Sequence, residues 1–179
     1  EDDATHPGAE ELCGDGVDND CDGAAIGCGF DGTIDLSTAD AKYIGEVAED
    51  SSGYHFRSGD INGDGTPDVL IGAFNEATVN DRQGAVYVVF GQTTGTVDLS
   101  TADAKLLGQY RHDHAGYDLY SGRDLNGDGY DDMIIGATKL GGSENGAGYL
   151  VYGPVSGTSS LAYADSILRG ASADDYAGY

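Results

Sequence analysis

Two nine-residue segments concentrate oxygen-bearing side chains at alternating positions. Asp60-Ile61-Asn62-Gly63-Asp64-Gly65-Thr66-Pro67-Asp68 puts Asp60, Asn62, Asp64 and Asp68 at positions 1, 3, 5 and 9. Asp124-Leu125-Asn126-Gly127-Asp128-Gly129-Tyr130-Asp131-Asp132 puts Asp124, Asn126, Asp128 and Asp132 at the same places. A hard cation such as Ca2+ takes about six to eight oxygens, and alternate residues of a curled loop point inward toward one centre. Gly65 and Gly129 at position 6 permit the sharp turn that brings position 9 back. Position 7, Thr66 in one loop and Tyr130 in the other, supplies a main-chain carbonyl. Calcium is therefore the expected cofactor. The plainer alternative is a pair of bare Asn-Gly/Asp-Gly turns. Against it, three aspartates gathered without a counter-charge repel one another by roughly several kcal/mol at short range. An EF-hand would need a glutamate at position 12 and a following helix, and the sequence offers strands instead. Asp131, at position 8, is expected to face solvent.

A third acidic run lies near the start. Asp18-Asn19-Asp20-Cys21-Asp22-Gly23 repeats the D-x-D-x-D-G spacing, so Asp18, Asp20 and Asp22 form half of a metal loop. Ile26 stands where the closing acid would be, which leaves Asp2, Asp3 or Glu11 to complete the shell. His6 would suit a softer metal, but the surrounding oxygens favour calcium. The cysteines, Cys13, Cys21 and Cys28, all fall in this segment, without the fourth soft ligand that zinc would want. A Cys13–Cys21 disulfide is the first choice and would contribute about 2–3 kcal/mol. The odd cysteine then pairs between molecules, stays free, or bonds a partner outside this sequence. The stretch from Asp2 to Gly23 resembles the MopE-type metal-binding motif of secreted bacterial proteins.

The elements that must carry the two loops repeat with a period of 62 to 64 residues. Thr33-Ile34-Asp35-Leu36-Ser37-Thr38-Ala39-Asp40-Ala41-Lys42 returns as Thr96-Val97-Asp98-Leu99-Ser100-Thr101-Ala102-Asp103-Ala104-Lys105, and in degraded form around Ala164–Gly170. Gly53-Tyr54 returns as Gly116-Tyr117 and Gly178-Tyr179. Val69–Ala73 returns as Met133–Ala137, and Gly84–Gly91 as Gly146–Gly153. These runs are short, rich in Val, Ile, Tyr and Phe, and bounded by Gly, Asn and Asp, which predicts buried strands. About sixty residues in four strands is the size of a β-propeller blade, with a solenoid or β-sandwich as the alternative packing. The unit running from Gly53-Tyr54 through Asp60–Gly65 and Asp68–Ala73 to Gly84–Tyr87 resembles the FG-GAP repeat of integrin α-subunit propellers, and the copy from Gly116 to Gly153 does too. That resemblance implies an all-β fold of propeller blades with calcium in loops between strands. The expected organisation is an acidic metal-binding segment at 1–30, one blade at 31–95, a second at 96–157, and the start of a third repeat at 158–179.

A closed propeller needs about four to eight blades. The chain opens inside the acidic motif and stops at Tyr179 within a motif, so the expectation is either a longer protein or completion of the packing by neighbouring copies.

Composition narrows the function. With 32 acidic and 8 basic residues the net charge is −24, which repels nucleic acid and anionic membranes. Three calcium ions would return only six of those charges, so the rest of the acidity belongs to a solvated surface or to further sites. No apolar run approaches the roughly 18 residues that would span a membrane, and the first residues carry no signal-peptide pattern. G-x-S-x-G, P-loop and H-E-x-x-H motifs are absent from the sequence. His112-Asp113-His114 could hold a metal but reads better as a solvated loop, and the twelve tyrosines, most at repeat-equivalent positions, read as packing. The expectation is a non-enzymatic, extracellular, calcium-binding propeller protein with a structural or adhesive role, self-associating as a subunit of a surface fibre. A ligand-binding module for glycan or protein is the alternative.

Overall fold

The computed structural model describes residues 35–140 and 143–179. The chain divides into two compact units, 1–39 and 40–179. Of the first, only its last residues are described: a 3-10 turn at Leu36–Thr38, whose Asp35 carboxylate accepts the Ser37 N–H at 2.9 Å. The acidic segment and its three cysteines lie outside the described residues.

The second unit is built almost wholly from short strands, as its apolar runs bounded by Gly and Asp dictate. They are β1 (Ala41–Ile44), β2 (His55–Gly59), β3 (Asp68–Ala73), β4 (Ala85–Val89), β5 (Gly95–Asp98), β6 (Ala104–Leu107), β7 (Ala115–Arg123), β8 (Asp132–Ala137), β9 (Ala147–Val151), β10 (Gly157–Ser160) and β11 (Ser166–Arg169). Strands β2, β3, β4 and β6 form one antiparallel four-stranded blade, and β10 adds to its outer edge in parallel. Strands β7, β8, β9 and β11 form a second antiparallel blade. Strand β1 pairs with β5 in parallel, in the same register that β6 keeps with β10.

The blades are out of phase with the sequence repeat. Strand β6 is the repeat copy of β1, yet it closes the sheet begun by β2, and β11 closes the sheet begun by β7. Each blade thus takes its outer strand from the following repeat, so the covalent chain stitches adjacent blades together.

Side-chain alternation along the strands separates two cores, as the period of two requires. Leu70, Val86, Val88 and Leu106 of the first blade meet Leu119, Met133, Ile135 and Tyr149 of the second. The opposite face of the first blade carries Ile71, Tyr87 and Val89, packed with Leu99, Tyr43 and Val97. Repeat-equivalent residues can therefore have unlike burial. Leu119 is 2% exposed because the first blade covers it, while Phe56, its counterpart, is 47% exposed. Strand β7 shifts register between Ala115 and Asp118 and again between Tyr120 and Arg123, and the second shift absorbs the residue by which the second unit exceeds the first before its acidic loop.

Backbone contact between blades depends on glycine. A Cβ on Gly72, the penultimate residue of β3, would lie 2.3 Å from the Gly116 carbonyl oxygen, and one on Gly136 would lie 2.0 Å from that of Gly178. The Gly-Ala that ends each of these strands is thus a docking point for the Gly-Tyr of the next repeat. Gly72→Ala should force the blades apart and lower stability by about 2–3 kcal/mol in denaturant unfolding. An unchanged midpoint would show that the blades separate without cost.

Candidate functional site

The two acidic loops are the hairpin connections from β2 to β3 and from β7 to β8, and the last aspartate of each, Asp68 and Asp132, is the first residue of the outgoing strand. Asp68 and Asp132 are fully buried. A buried carboxylate needs matched donors, and the loops provide them. One Asp68 oxygen accepts from Ile61 N at 2.9 Å and Asn62 N at 3.2 Å, while the other accepts from Gly91 N at 2.8 Å. Asp132 accepts from Leu125 N at 2.7 Å and Gly153 N at 3.0 Å. Each carboxylate thereby ties its own loop to the turn that follows the third strand of the same blade.

The residues at positions 1, 3 and 5 come together. In the first loop, Asp64 N donates to Asp60 Oδ1 at 3.0 Å and to Asn62 Oδ1 at 2.9 Å, so those two oxygens crowd onto one N–H. Gly65 N reaches Asp60 Oδ2 at 2.9 Å, Thr66 N reaches Asp64 Oδ1 at 2.7 Å, and Asn62 Nδ2 reaches Asp64 Oδ2 at 2.9 Å. The second loop repeats this from Asp124, Asn126 and Asp128, with Gly129 N on Asp124 Oδ2 at 2.9 Å and Tyr130 N on Asp128 Oδ1 at 3.0 Å. Gly63, Gly65, Gly127 and Gly129 all have positive φ, from 74° to 96°, where a side chain would strain the turn. What the structure does not bring together, among the described residues, is a ready cluster of three His, Cys, Asp or Glu side chains. Positions 1 and 5 share each loop's mouth with an asparagine, while the third acid is held by buried N–H groups.

The electrostatics are those of an anionic loop. Hydrogen bonds from the Asn62 side chain and the Thr66 N–H hold the Asp64 carboxyl below its ordinary range, and the Gly129 and Gly127 N–H groups do the same for Asp124. The ion pairs lie elsewhere: Lys105 with Glu46 and Glu76, Arg57 and His55 with Asp118, Arg111 with Asp81, Lys139 with Glu144. Among the described residues, no ion pair reaches an aspartate of either loop. A donor set of carboxylates and an amide oxygen without a protein counter-charge matches the chemistry of a hard divalent cation.

Asp131 departs from expectation. It is half-buried and bonded to the other blade: its Oδ2 accepts Asp60 N at 2.9 Å, and its own N–H donates to Asp60 O at 2.9 Å. The signal in the sequence is the contrast at position 8, where the first loop has Pro67. Asp18, Asp20 and Asp22 lie outside the described residues.

His112-Asp113-His114 proves to be a turn used three times. Asp113 is buried and accepts Tyr110 N at 2.6 Å, as Asp50 accepts Val47 N and Asp175 accepts Ser172 N. The flanking residues have positive φ in all three copies: Glu49 and Ser51, His112 and His114, Asp174 and Tyr176. The repeat-equivalent Tyr54, Tyr117 and Tyr179 follow one another with tilted rings, at 44° and 32°, and centroids 5.2 Å apart.

The fold and loops thus define propeller blades with an acidic hairpin between the first two strands of each. The FG-GAP repeat family matches at residues 52–89 and 115–151, and a family described as "Putative metal-binding motif", of the MopE copper-binding type, matches residues 1–25. The chain carries two FG-GAP repeats behind a MopE-type motif. It is 27% identical to integrin alpha pat-2 of Caenorhabditis briggsae over 82% of this chain and 13% of that protein. It is 32% identical to integrin alpha-5 of Xenopus laevis over 66% of this chain and 12% of that protein. It is also 28% identical to phosphatidylinositol-glycan-specific phospholipase D of Mus musculus, over 70% of this chain and 16% of the enzyme. The chain therefore spans only a small part of the curated relatives it matches.

Two outcomes separate the roles of the aspartates. Asp68→Ala should destabilise the metal-free protein by about 2–3 kcal/mol, because the buried Ile61 N–H and the half-buried N–H groups of Asn62 and Gly91 lose their acceptor. Asp64→Ala, at the exposed mouth, should cost the metal-free protein far less, no more than the small contribution of its ionised carboxylate. The second expectation concerns pH. Asp64 and Asp124 have folded pKa values below their unfolded ones, so their contribution is complete above the ordinary carboxylate range and is lost as pH falls through the folded values. Metal-free thermal unfolding should stay level from about pH 7 to 5 and weaken below about pH 4.

Proposed function

We propose that the chain is a calcium-stabilised, extracellular β-propeller segment with an adhesive or structural role and no catalytic activity of its own. The observation that carries this reading is the pair of loops in which the first aspartate and the asparagine converge on one N–H while no ion pair among the described residues answers the loop's carboxylates. In each loop the side-chain oxygens at positions 1, 3, 5 and 9 and the carbonyl of position 7 would hold one Ca2+: Asp60, Asn62, Asp64, Thr66 and Asp68, then Asp124, Asn126, Asp128, Tyr130 and Asp132. Asp68 and Asp132 can serve although they already accept N–H bonds, since Asp68 Oδ1 and both Asp132 oxygens accept one N–H each and keep a second lone pair. The ion supplies the counter-charge and fixes the loop; the chain supplies the turn geometry. Asp18, Asp20 and Asp22 of the N-terminal motif would make a third site.

Adhesion is supported by the integrin alpha relatives, as is a place outside the cell. The phospholipase relative shares 16% of its own length, as limited a share as that of the integrins, and the reading leans to adhesion because integrin alpha chains outnumber it among the relatives. Among the described residues no helix is long and apolar enough to cross a membrane. Self-association into a fibre would use sheet faces not already packed, such as that of the second blade, where Ile134 is 38% exposed and Leu168 also stands open. A second reading, recognition of a glycan or protein, is favoured by the polar recess between Glu49, Ser51, Asn75, Asp81 and Arg82.

Thermal unfolding and particle size in millimolar Ca2+ and in EGTA test this. Two sites filled to a hundred times their Kd add about 5 kcal/mol, so Tm should rise by about 10 °C or more. Asp60→Ala with Asp124→Ala should abolish the rise. Equal Tm in calcium and EGTA would refute the cation reading. Long particles in calcium would support the fibre, and a monodisperse monomer would favour the ligand-binding module.

A further inference from the structure

We propose that the two loops take up their cations as a coupled pair, with Asp131 as the positioning residue that passes the state of loop 124–132 to Asp60. The inference rests on the cation reading above and goes beyond it.

Asp60 is gripped from both sides. Its carboxylate accepts Asp64 N and Gly65 N of its own loop, while its main-chain N–H and C=O both bond to Asp131. Asp131 in turn lies between Tyr130, whose carbonyl is the position 7 donor, and Asp132, the buried acid of position 9. Any force that fixes both neighbours of Asp131 fixes Asp131, and with it the backbone of the first donor in the other loop.

Packing reinforces the bond. The Tyr130 ring lies so close to Gly63 that a Cβ there would sit 2.6 Å from Cε1. Gly153, whose N–H holds Asp132, is wedged where a Cβ would meet Tyr130 Cβ at 2.7 Å, Asp131 O at 2.8 Å and Ile61 O at 2.9 Å. Ile61 itself is fully buried in the core shared by the blades. The two loops are therefore one packed assembly across the blade boundary, although 64 residues separate their first aspartates in sequence.

The coupling has a direction built into the sequence. Pro67 occupies position 8 of the first loop and has neither an N–H nor a carboxylate to offer. The link made by Asp131 is thus available from the second loop to the first, and the first cannot extend it in the same way to another neighbour. An ion in loop 124–132 orders Tyr130, Asp131 and Asp132; the next ion then meets an Asp60 already placed, and its binding is opposed by less lost freedom. Linkage makes the effect reciprocal.

Calcium titration of the full chain, followed at the Gly65 and Gly129 amide resonances, reads the sites separately, because each N–H bonds the first aspartate of its own loop. Asp128→Ala, which cripples the second loop, should weaken calcium binding reported by Gly65 about tenfold. In an Asp131→Ala background the same change should have no further effect on Gly65, with Gly129 still titrating when Asp128 is intact. Asp131→Asn keeps an acceptor oxygen for Asp60 N and should preserve most of the tenfold effect. A Gly65 response indifferent to Asp128→Ala would overturn the coupling, and a tenfold effect that survives Asp131→Ala would overturn the part given to Asp131; either result would leave the sites in place. No calcium response at either glycine in the unsubstituted chain would overturn both the coupling and the cation reading.

Discussion

A carboxylate with no exposed surface survives in a small fold only where donors converge on it, and Asp68 and Asp132 are the points from which the rest of each blade is organised. Each stands where an incoming loop becomes a strand, and each gathers N–H groups from two places: the second residue of its own loop and the glycine after the third strand. Those bonds set where the loop curls and where the third strand stops. The adjoining Asp131 then joins one loop to the other. Removing the buried acid would free the loop's curl, the strand's end and the seam between blades together, which is why its cost is structural before it concerns any ion.

Much of this was legible in the sequence because the repeat compares two solutions to one problem. The strands Asp68–Ala73 and Ala85–Val89 fall where the apolar runs lay, and the acidic segments are the turns between strands that their Asn, Asp and Gly content required. The repeated Gly53-Tyr54 and Gly72-Ala73 were visible as a pattern, but not as a contact. That a strand's penultimate glycine receives the carbonyl of the following repeat depends on how blades stack, and stacking is not encoded in the local period of two.

Other features were illegible for similar reasons. Asp131 was read as a solvated neighbour of ligands because a loop considered alone has no other blade beside it. Position 9 was read as a ligand only, although its burial under Gly91 and Gly153 comes from a turn more than twenty residues away. His112 and His114 looked chemically suggestive until their backbone geometry recurred at Glu49 and Ser51, residues of unrelated chemistry. A shared conformation with changing side chains marks a turn that the fold needs, whatever residue fills it.

The borrowed outer strand has a bearing on how such a protein is made. Strands β2, β3 and β4 leave the ribosome before β6 exists, so the first blade waits with a bare edge for the opening residues of the next repeat. Synthesis proceeds at about 5–20 residues per second, and the interval from Val89 to Ala104 is therefore about one to three seconds. During that time the exposed β4 edge can pair with whatever strand is near, including the same edge on another nascent chain. A cut of the gene made at the sequence repeat would make that passing vulnerability permanent, whereas a cut after Leu107 would leave the first blade its outer strand.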